Sequence, residues 1–242
     1  MKILVVGGSG KVAAQTLPGI KSQHQIHIFD TKPPFHPDLI DLPFTLGDVC
    51  DPGALDEAAR GQDALLFMAM GVQNWNEPAA ITTAFDSSVK GLYIALLTAH
   101  KAGIKHAVYT SSMSIYEGDL YHRRFADEDI TPDSIHLYGF TKWLGEEVCR
   151  NAARAYGMSV NALRLCLPVD TEAWKKDTKF DVPTIATASS DVARAIDAAL
   201  QYQGGFQTFM ISGDYSQKLM NMSKAKRLLG WEPLERPAVT NT

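Results

Sequence analysis

Cysteine is scarce in this chain: Cys50, Cys149 and Cys166 are the three in 242 residues. They stand far apart, with neither the spacing of a metal knuckle nor the density of a disulfide framework, which fits a reducing compartment. No run of about 20 apolar residues occurs, so no membrane span is expected. The chain enters an apolar strand pattern at Lys2, which leaves no room for a leader peptide. Positive charge is not concentrated either. Lys and Arg total 23 against 27 Asp and Glu, a net charge of −4. The densest basic knot, residues 121–125 (YHRRF), reads as a solvated loop. These absences argue against nucleic acid or an anionic membrane as partner and predict a cytoplasmic protein. Metal-ligand clusters, internal repeats and low-complexity segments are also missing.

What is present is ordinary in bulk, with 45% hydrophobic and 21% charged residues, and the length fits one large α/β domain. Short apolar runs at 3–6, 25–29, 44–46, 64–69, 107–110 and 160–165 alternate with helical patterns at 11–17, 52–60, 80–101 and 138–156. That alternation predicts a doubly wound parallel sheet, and the near-continuous apolar strands predict helices on both faces. Asp51 and Pro52 read as an N-cap and a first helical residue, while Pro18 should end the first helix early. Phe140, Leu144, Val148, Ala152 and Ala155 form an apolar stripe at helical spacing. Beyond Leu165 the rhythm weakens to a helix at 191–200, a strand at 208–211 and a helix at 223–229. The expected organisation is a Rossmann core over 1–165, with 166–242 as a short substrate cap completing a single domain.

Gly7-Gly-Ser-Gly10-Lys-Val-Ala13 follows the first strand and opens the first helix. Glycines there permit a tight turn and close approach to a pyrophosphate on the positive end of the helix. Asp30 ends the second strand at the distance of a ribose 2′-hydroxyl ligand, although a strand-end turn aspartate has the same look. A carboxylate there repels a 2′-phosphate, so NAD is favoured over NADP, with Lys11 and Lys32 pulling the other way. Asp48 after the third strand is either an adenine ligand or a loop aspartate before the Asp51 cap.

Tyr138 and Lys142 stand one helical turn apart, on one face of a helix. An ammonium beside a phenol lowers its pKa, fitting it to take a proton from an alcohol while a hydride leaves. Ser112 follows a buried strand where ligands bind in such sheets, and serves either as a hydroxyl partner or as a turn cap.

The segments VVGGSGKVA, LGDVCDPGAL, GLYIALLTAHKAGIKHAVYTSS, SIYEGD, YGFTKWLGE, LRLCLP, SDVARAI and KAKRLLGWEP run in order along the chain. With them the sequence resembles an extended short-chain dehydrogenase/reductase of the NAD-dependent epimerase/dehydratase family. The resemblance implies that Gly7, Gly10, Lys11, Val12 and Ala13 meet the pyrophosphate end of NAD and Asp30 the adenosine ribose. It further implies that Asp48 and Val49 flank adenine, that Met68 and Ala69 touch the cofactor, and that Ser112, Tyr138 and Lys142 are catalytic. Lys142 would also hold the nicotinamide ribose, and the helices at 80–101 and 138–156 would form a homodimer interface.

Departures from the family pattern limit the substrate reading. Ser88 replaces a usual asparagine, Glu117 a usual glycine, and no histidine occurs in Met68-Ala69-Met70. The region after Leu165 is shorter than in relatives that grip a nucleotide-sugar. Sugar-acid dehydrogenases of the family have a similarly reduced cap, yet their Ser-Asn-His stretch is Ser112-Met113-Ser114 here. The expected function is hydride transfer at a hydroxyl-bearing carbon of a sugar, sugar acid or similar small molecule. The alternatives are a nucleotide-sugar epimerase or dehydratase that retains NAD, and a non-catalytic NAD(P)-sensing protein. Candidate substrate contacts are Met70, Gln73, Trp75, Met113, Ser114 and Leu165, where Trp75 either stacks on a sugar or anchors a loop. Arg123, Arg124, Lys175 and Lys176 either meet an anionic substrate or are surface charge.

Overall fold

The computed structural model describes residues 1–71, 74, 77–179 and 184–237. Nine strands alternate with eight helices: β1 (Lys2–Val6), α1 (Lys11–Thr16), β2 (Gln25–Asp30), β3 (Phe44–Leu46), α2 (Pro52–Ala59), β4 (Ala64–Phe67), α3 (Ala80–Phe85), α4 (Leu92–Lys101), β5 (His106–Ser112), α5 (Leu137–Tyr156), β6 (Ser159–Leu165), β7 (Pro168–Val169), α6 (Thr171–Asp177), β8 (Thr187–Ala188), α7 (Ser189–Gln201), β9 (Phe206–Ile211) and α8 (Ser223–Leu229), all among the described residues. Seven strands form one sheet in the order β3-β2-β1-β4-β5-β6-β9, and every pairing is parallel. The order reverses between β1 and β4, so a crevice opens at their carboxyl ends.

Alternation along each strand feeds two cores. Ile3 and Val5 face the α1 and α7 side with Leu66, Val108 and Leu163. Leu4 and Val6 face the α2, α4 and α5 side with Leu65, Phe67 and Tyr109. Each fully buried Ile, Leu or Phe contributes about 1.5–3 kcal/mol, so the parallel sheet is a rigid platform for the residues at its edge.

Pro18 ends α1 as expected, and the Asp51 side chain caps α2 by accepting from the Gly53 N–H. The helix expected over 80–101 contains a π-helical stretch, Asp86–Gly91, between α3 and α4. Gly91, at the end of that stretch, lies so close to Val49 that a Cβ would not fit. The stretch after Leu165 does not stand apart. It supplies β9 to the main sheet, α7 to its face and the small β7–β8 pair, with the unforeseen α6 between them.

The apolar stripe of α5 meets the sheet only in part, through Ala152 and the half-buried Val148. Gly139, Lys142, Gly145, Glu146, Cys149 and Ala152 are buried, whereas Phe140 and Ala155 are exposed. Gly139 and Gly145 let the helix press against Ser114 and the Tyr109 ring, where a Cβ would collide. Close approach of backbone, rather than an apolar seam, decides which face turns inward.

Candidate active site

The first strand delivers Gly7 at φ +84°, where a Cβ would run into the Ala69 backbone nitrogen. Glycine is therefore demanded twice, by conformation and by contact. The Ser9 N–H donates to Asp30 Oδ2 at 3.0 Å and ties the glycine turn to the end of β2. Ser9 Oγ is buried without a partner, a polar atom awaiting one. A cleft of about 740 Å³ runs past Gly7, Gly10, Lys11, Asp30, Asp48, Val49 and Ala69. Its glycine cradle and the carboxylate at its rim fit a dinucleotide. Asp48 serves its loop at the same time, since its Oδ1 accepts from the Cys50 N–H at 2.8 Å. Ala13 does not line the cleft. It is buried on the inner face of α1, where its small size suits helix–sheet packing.

At the chemistry end, β5 finishes with Thr110, Ser111 and Ser112, and α5 starts with Tyr138 and Lys142 on the facing side. The Ser112 hydroxyl is hydrogen-bonded to the Tyr138 phenol and also accepts from the Ser114 N–H at 3.1 Å. Lys142 Nζ donates to the Thr110 carbonyl at 2.7 Å and lies 5.9 Å from the Tyr138 ring centre. Burial pushes the Tyr138 phenol up, with the Ser112 bond opposing. Burial likewise pulls the Lys142 ammonium down to about 8, against the opposing pull of Cys149 and Glu146. The expectation that Lys142 draws the phenol toward neutrality is thus corrected for the protein alone. The ammonium is held by the Thr110 carbonyl, and burial, opposed by the Ser112 bond, sets the direction for the phenol.

Behind these residues lies a network that none of the sequence motifs announces. Glu146, one turn past Lys142, accepts from Ser111 Oγ at 2.6 Å and takes Arg164 of β6 in a two-point grip. Arg164 Nη1 donates to Tyr116 Oη at 2.7 Å and to the Glu128 carbonyl at 2.8 Å. Glu128 in turn accepts from the Met210 N–H of β9 at 3.1 Å, and burial raises its carboxyl pKa. Two signals were available: Glu146 continues the spacing of Tyr138 and Lys142, and Arg164 interrupts an apolar strand.

A cavity of about 200 Å³ between the β5 and β6 ends is lined by Val12, Met68, Met70, Met113, Ser114 and Leu165 beside Ser112, Tyr138 and Lys142. The structure thus brings Met70, Met113, Ser114 and Leu165 together around one space, and Val12 faces this cavity rather than the larger cleft. Gln73 and Trp75 lie outside the described residues. The basic candidates do not reach the chemistry. Arg123 is held by Asp133 at 2.9 Å, Lys175 by Glu235 at 3.3 Å, and Arg124 and Lys176 are exposed outside these cavities. Opposite charges and water are more accessible to these side chains than the site is. An unforeseen third cavity, about 520 Å³, opens beside Tyr138 along Glu117 and His136.

One sheet edge thus gathers a glycine turn, a strand-end acid, a serine and a tyrosine–lysine helix. The model of the NAD dependent epimerase/dehydratase family matches residues 3–179. The chain belongs to that family. Among curated relatives, the N-acetyl-alpha-D-glucosaminyl-diphospho-ditrans,octacis-undecaprenol 4-epimerase of Escherichia coli O157:H7 is 29% identical over 61% of this chain and 42% of its own. The chain thus spans less than half of that epimerase. The L-arabinose 1-dehydrogenase (NAD(P)(+)) of Haloferax volcanii is 25% identical over 98% of both chains. A solved short-chain dehydrogenase/reductase superfamily protein from Agrobacterium tumefaciens, with bound NAD, superposes at TM-score 0.79 and 21% identity, covering 97% of this chain and 93% of its own. Among the described residues no helix is long and apolar enough to cross a membrane, and no cluster of three His, Cys, Asp or Glu could hold a metal.

Proposed function

We propose that this family member is an NAD-dependent oxidoreductase acting at a hydroxyl-bearing carbon of a sugar, sugar acid or similar small molecule. The observation that carries the reading is the bonded pair of Ser112 and Tyr138 hydroxyls in a cavity that shares Met68 and Met70 with the nucleotide cleft. Gly7, Gly10 and Asp30 would hold NAD, which supplies a hydride acceptor when bound. Tyr138, as phenolate, takes the proton of the substrate hydroxyl, and Ser112 orients that oxygen. Lys142, fixed on the Thr110 carbonyl, holds its ammonium 5.9 Å from the ring centre of that tyrosine, where it would offset part of the burial cost of the phenolate. Net oxidation or reduction is favoured over epimerisation. The support is a curated relative matched over 98% of both chains, the L-arabinose 1-dehydrogenase.

The test is a nicotinamide absorbance assay with free sugars, sugar acids and nucleotide-sugars, using NAD and NADP. Tyr138→Phe should lower turnover by about 10²–10⁴-fold while NAD affinity holds. Normal turnover in that variant refutes the role. Protein that purifies with tightly held NAD, and interconverts epimers without net reduction, would instead support the epimerase reading.

The outward stripe of α5 supports a homodimer. Phe140 meets Phe85 edge-on at 6.5 Å, beside exposed Ile81 and Tyr93 on the neighbouring helices. An apolar groove of about 360 Å³ adjoins them along Val89, Ile94 and Val148. A contiguous patch of this kind suits a second copy of the chain.

A further inference from the structure

We infer that Glu117, in the cavity beside Tyr138, selects a substrate whose non-reacting end donates hydrogen bonds and carries no negative charge. The inference rests on the proposed hydride-transfer site and adds the chemistry of the half of the substrate that does not react. The 520 Å³ cavity shares Ser114, Leu120 and Tyr138 with the 200 Å³ catalytic cavity. A molecule reacting at Tyr138 and too large for the smaller space extends into the larger one.

Glu117 stands on the wall of that larger space and is fixed in place. Its Oε2 accepts from the Ile135 N–H at 3.2 Å, just ahead of α5, and its Oε1 lies 3.4 Å from His136 Nε2. The side chain is 36% exposed, so lone pairs remain open to the cavity. A carboxylate only accepts hydrogen bonds, and so it welcomes hydroxyls or an ammonium and repels an acid.

The nearby cations do not reverse that sign. Arg123 donates to both oxygens of Asp133 at 3.0 and 2.9 Å and to the Glu117 backbone carbonyl at 3.3 Å. Its guanidinium also lies over the Tyr116 and Phe125 rings. Lys142 is committed to Thr110, and His136 already faces Glu117. Arg124 lines neither cavity. Among the described residues, a substrate carboxylate in this space would meet Glu117 with no uncommitted cation on the wall.

The experiment compares initial rates with NAD for a neutral aldose, its uronic acid and its 2-amino-2-deoxy analogue, in wild type and in Glu117→Gln. The glutamine keeps an acceptor oxygen for the Ile135 N–H, removes the charge and turns the second oxygen into an N–H donor. Wild type should prefer the neutral or amino sugar over the acid by at least about tenfold in kcat/KM, and Glu117→Gln should narrow that gap by about tenfold. NAD affinity and Tm should not move. Ser114→Lys, on the wall shared by the two cavities, provides an independent variant should Glu117→Gln fail to fold, and should raise use of the acid. Wild type that prefers the acid, or selectivity unchanged in the variants, overturns the role of Glu117 while leaving hydride transfer standing. Absence of any nicotinamide reduction in wild type, across all three sugars and with NAD bound, removes the oxidoreductase reading and this inference with it.

Discussion

Glu146 holds Arg164 through both carboxylate oxygens, at 3.0 Å to Nε and 2.8 Å to Nη2, and both side chains are almost fully buried. The same carboxylate accepts the Ser111 hydroxyl. The pair therefore joins α5, which carries Tyr138 and Lys142, to the carboxyl ends of β5 and β6. Tyr116 and Glu128 extend the bond chain from Arg164 toward β9.

Removing one member of such a buried pair leaves the other charge without a partner. Arg164→Met should destabilise the protein by about 3–5 kcal/mol in urea unfolding. The double variant Glu146→Leu/Arg164→Met should recover more than half of that loss. If the double variant is no more stable than the single one, the pair is not the origin of the loss.

Lys142 gives a pH-dependent signature. Its folded pKa of about 8 lies below the ordinary 10.5, because burial disfavours the ammonium. Below about pH 8 the charge is present in folded and unfolded states alike, and the burial penalty is felt in full. As pH rises from about 8 to 10.5, the folded state sheds its proton first and the penalty fades. Lys142→Met removes the penalty at every pH. Its stability relative to wild type should therefore be highest below pH 8 and fall by about 3 kcal/mol by pH 10.5. Denaturant titrations at pH 7 and 10.5 measure this, and a difference that does not change with pH excludes a buried ammonium.

The parts of this fold that obey local rules were legible. Apolar strands, the glycine turn, the Asp51 cap and the Tyr138–Lys142 spacing each depend on residues near in sequence. The face of α5 was not, because Lys142 and Glu146 go inside only when Thr110, Ser111 and Arg164 supply partners from other strands. Polarity pattern alone puts such residues in water. The direction of the Tyr138 shift was hidden for the same reason: spacing reveals the neighbouring ammonium, but not that the Thr110 carbonyl holds it and that burial dominates. The β7–β8 pair likewise depends on a pairing between segments distant in sequence.

Asp30 ties the glycine turn to the rim of the cleft. One oxygen accepts from the Ser9 N–H, and the residue also lines the nucleotide cleft together with Lys32. Asp30→Asn keeps an acceptor for Ser9 but removes the charge that repels a 2′-phosphate. It should weaken NAD by about tenfold and strengthen NADP by a similar factor, as read by fluorescence titration. An unchanged ratio of the two affinities would assign Asp30 to the turn alone.

The outward stripe of α5 makes the oligomer testable without touching the chemistry. Ile81 and Tyr93 are exposed apolar residues on α3 and α4, on the same side as the Phe85–Phe140 contact. A chain of 26.5 kDa should sediment at twice that mass if this surface pairs with itself. Charge placed at both positions in a two-fold interface meets its own copy, and each buried carboxylate lacks a partner. Ile81→Asp/Tyr93→Asp should therefore sediment as the 26.5 kDa monomer, with the far-UV spectrum of the wild type. Wild type that sediments as a monomer at micromolar concentration rules out self-pairing of this patch. A variant that stays dimeric would move the interface to another face.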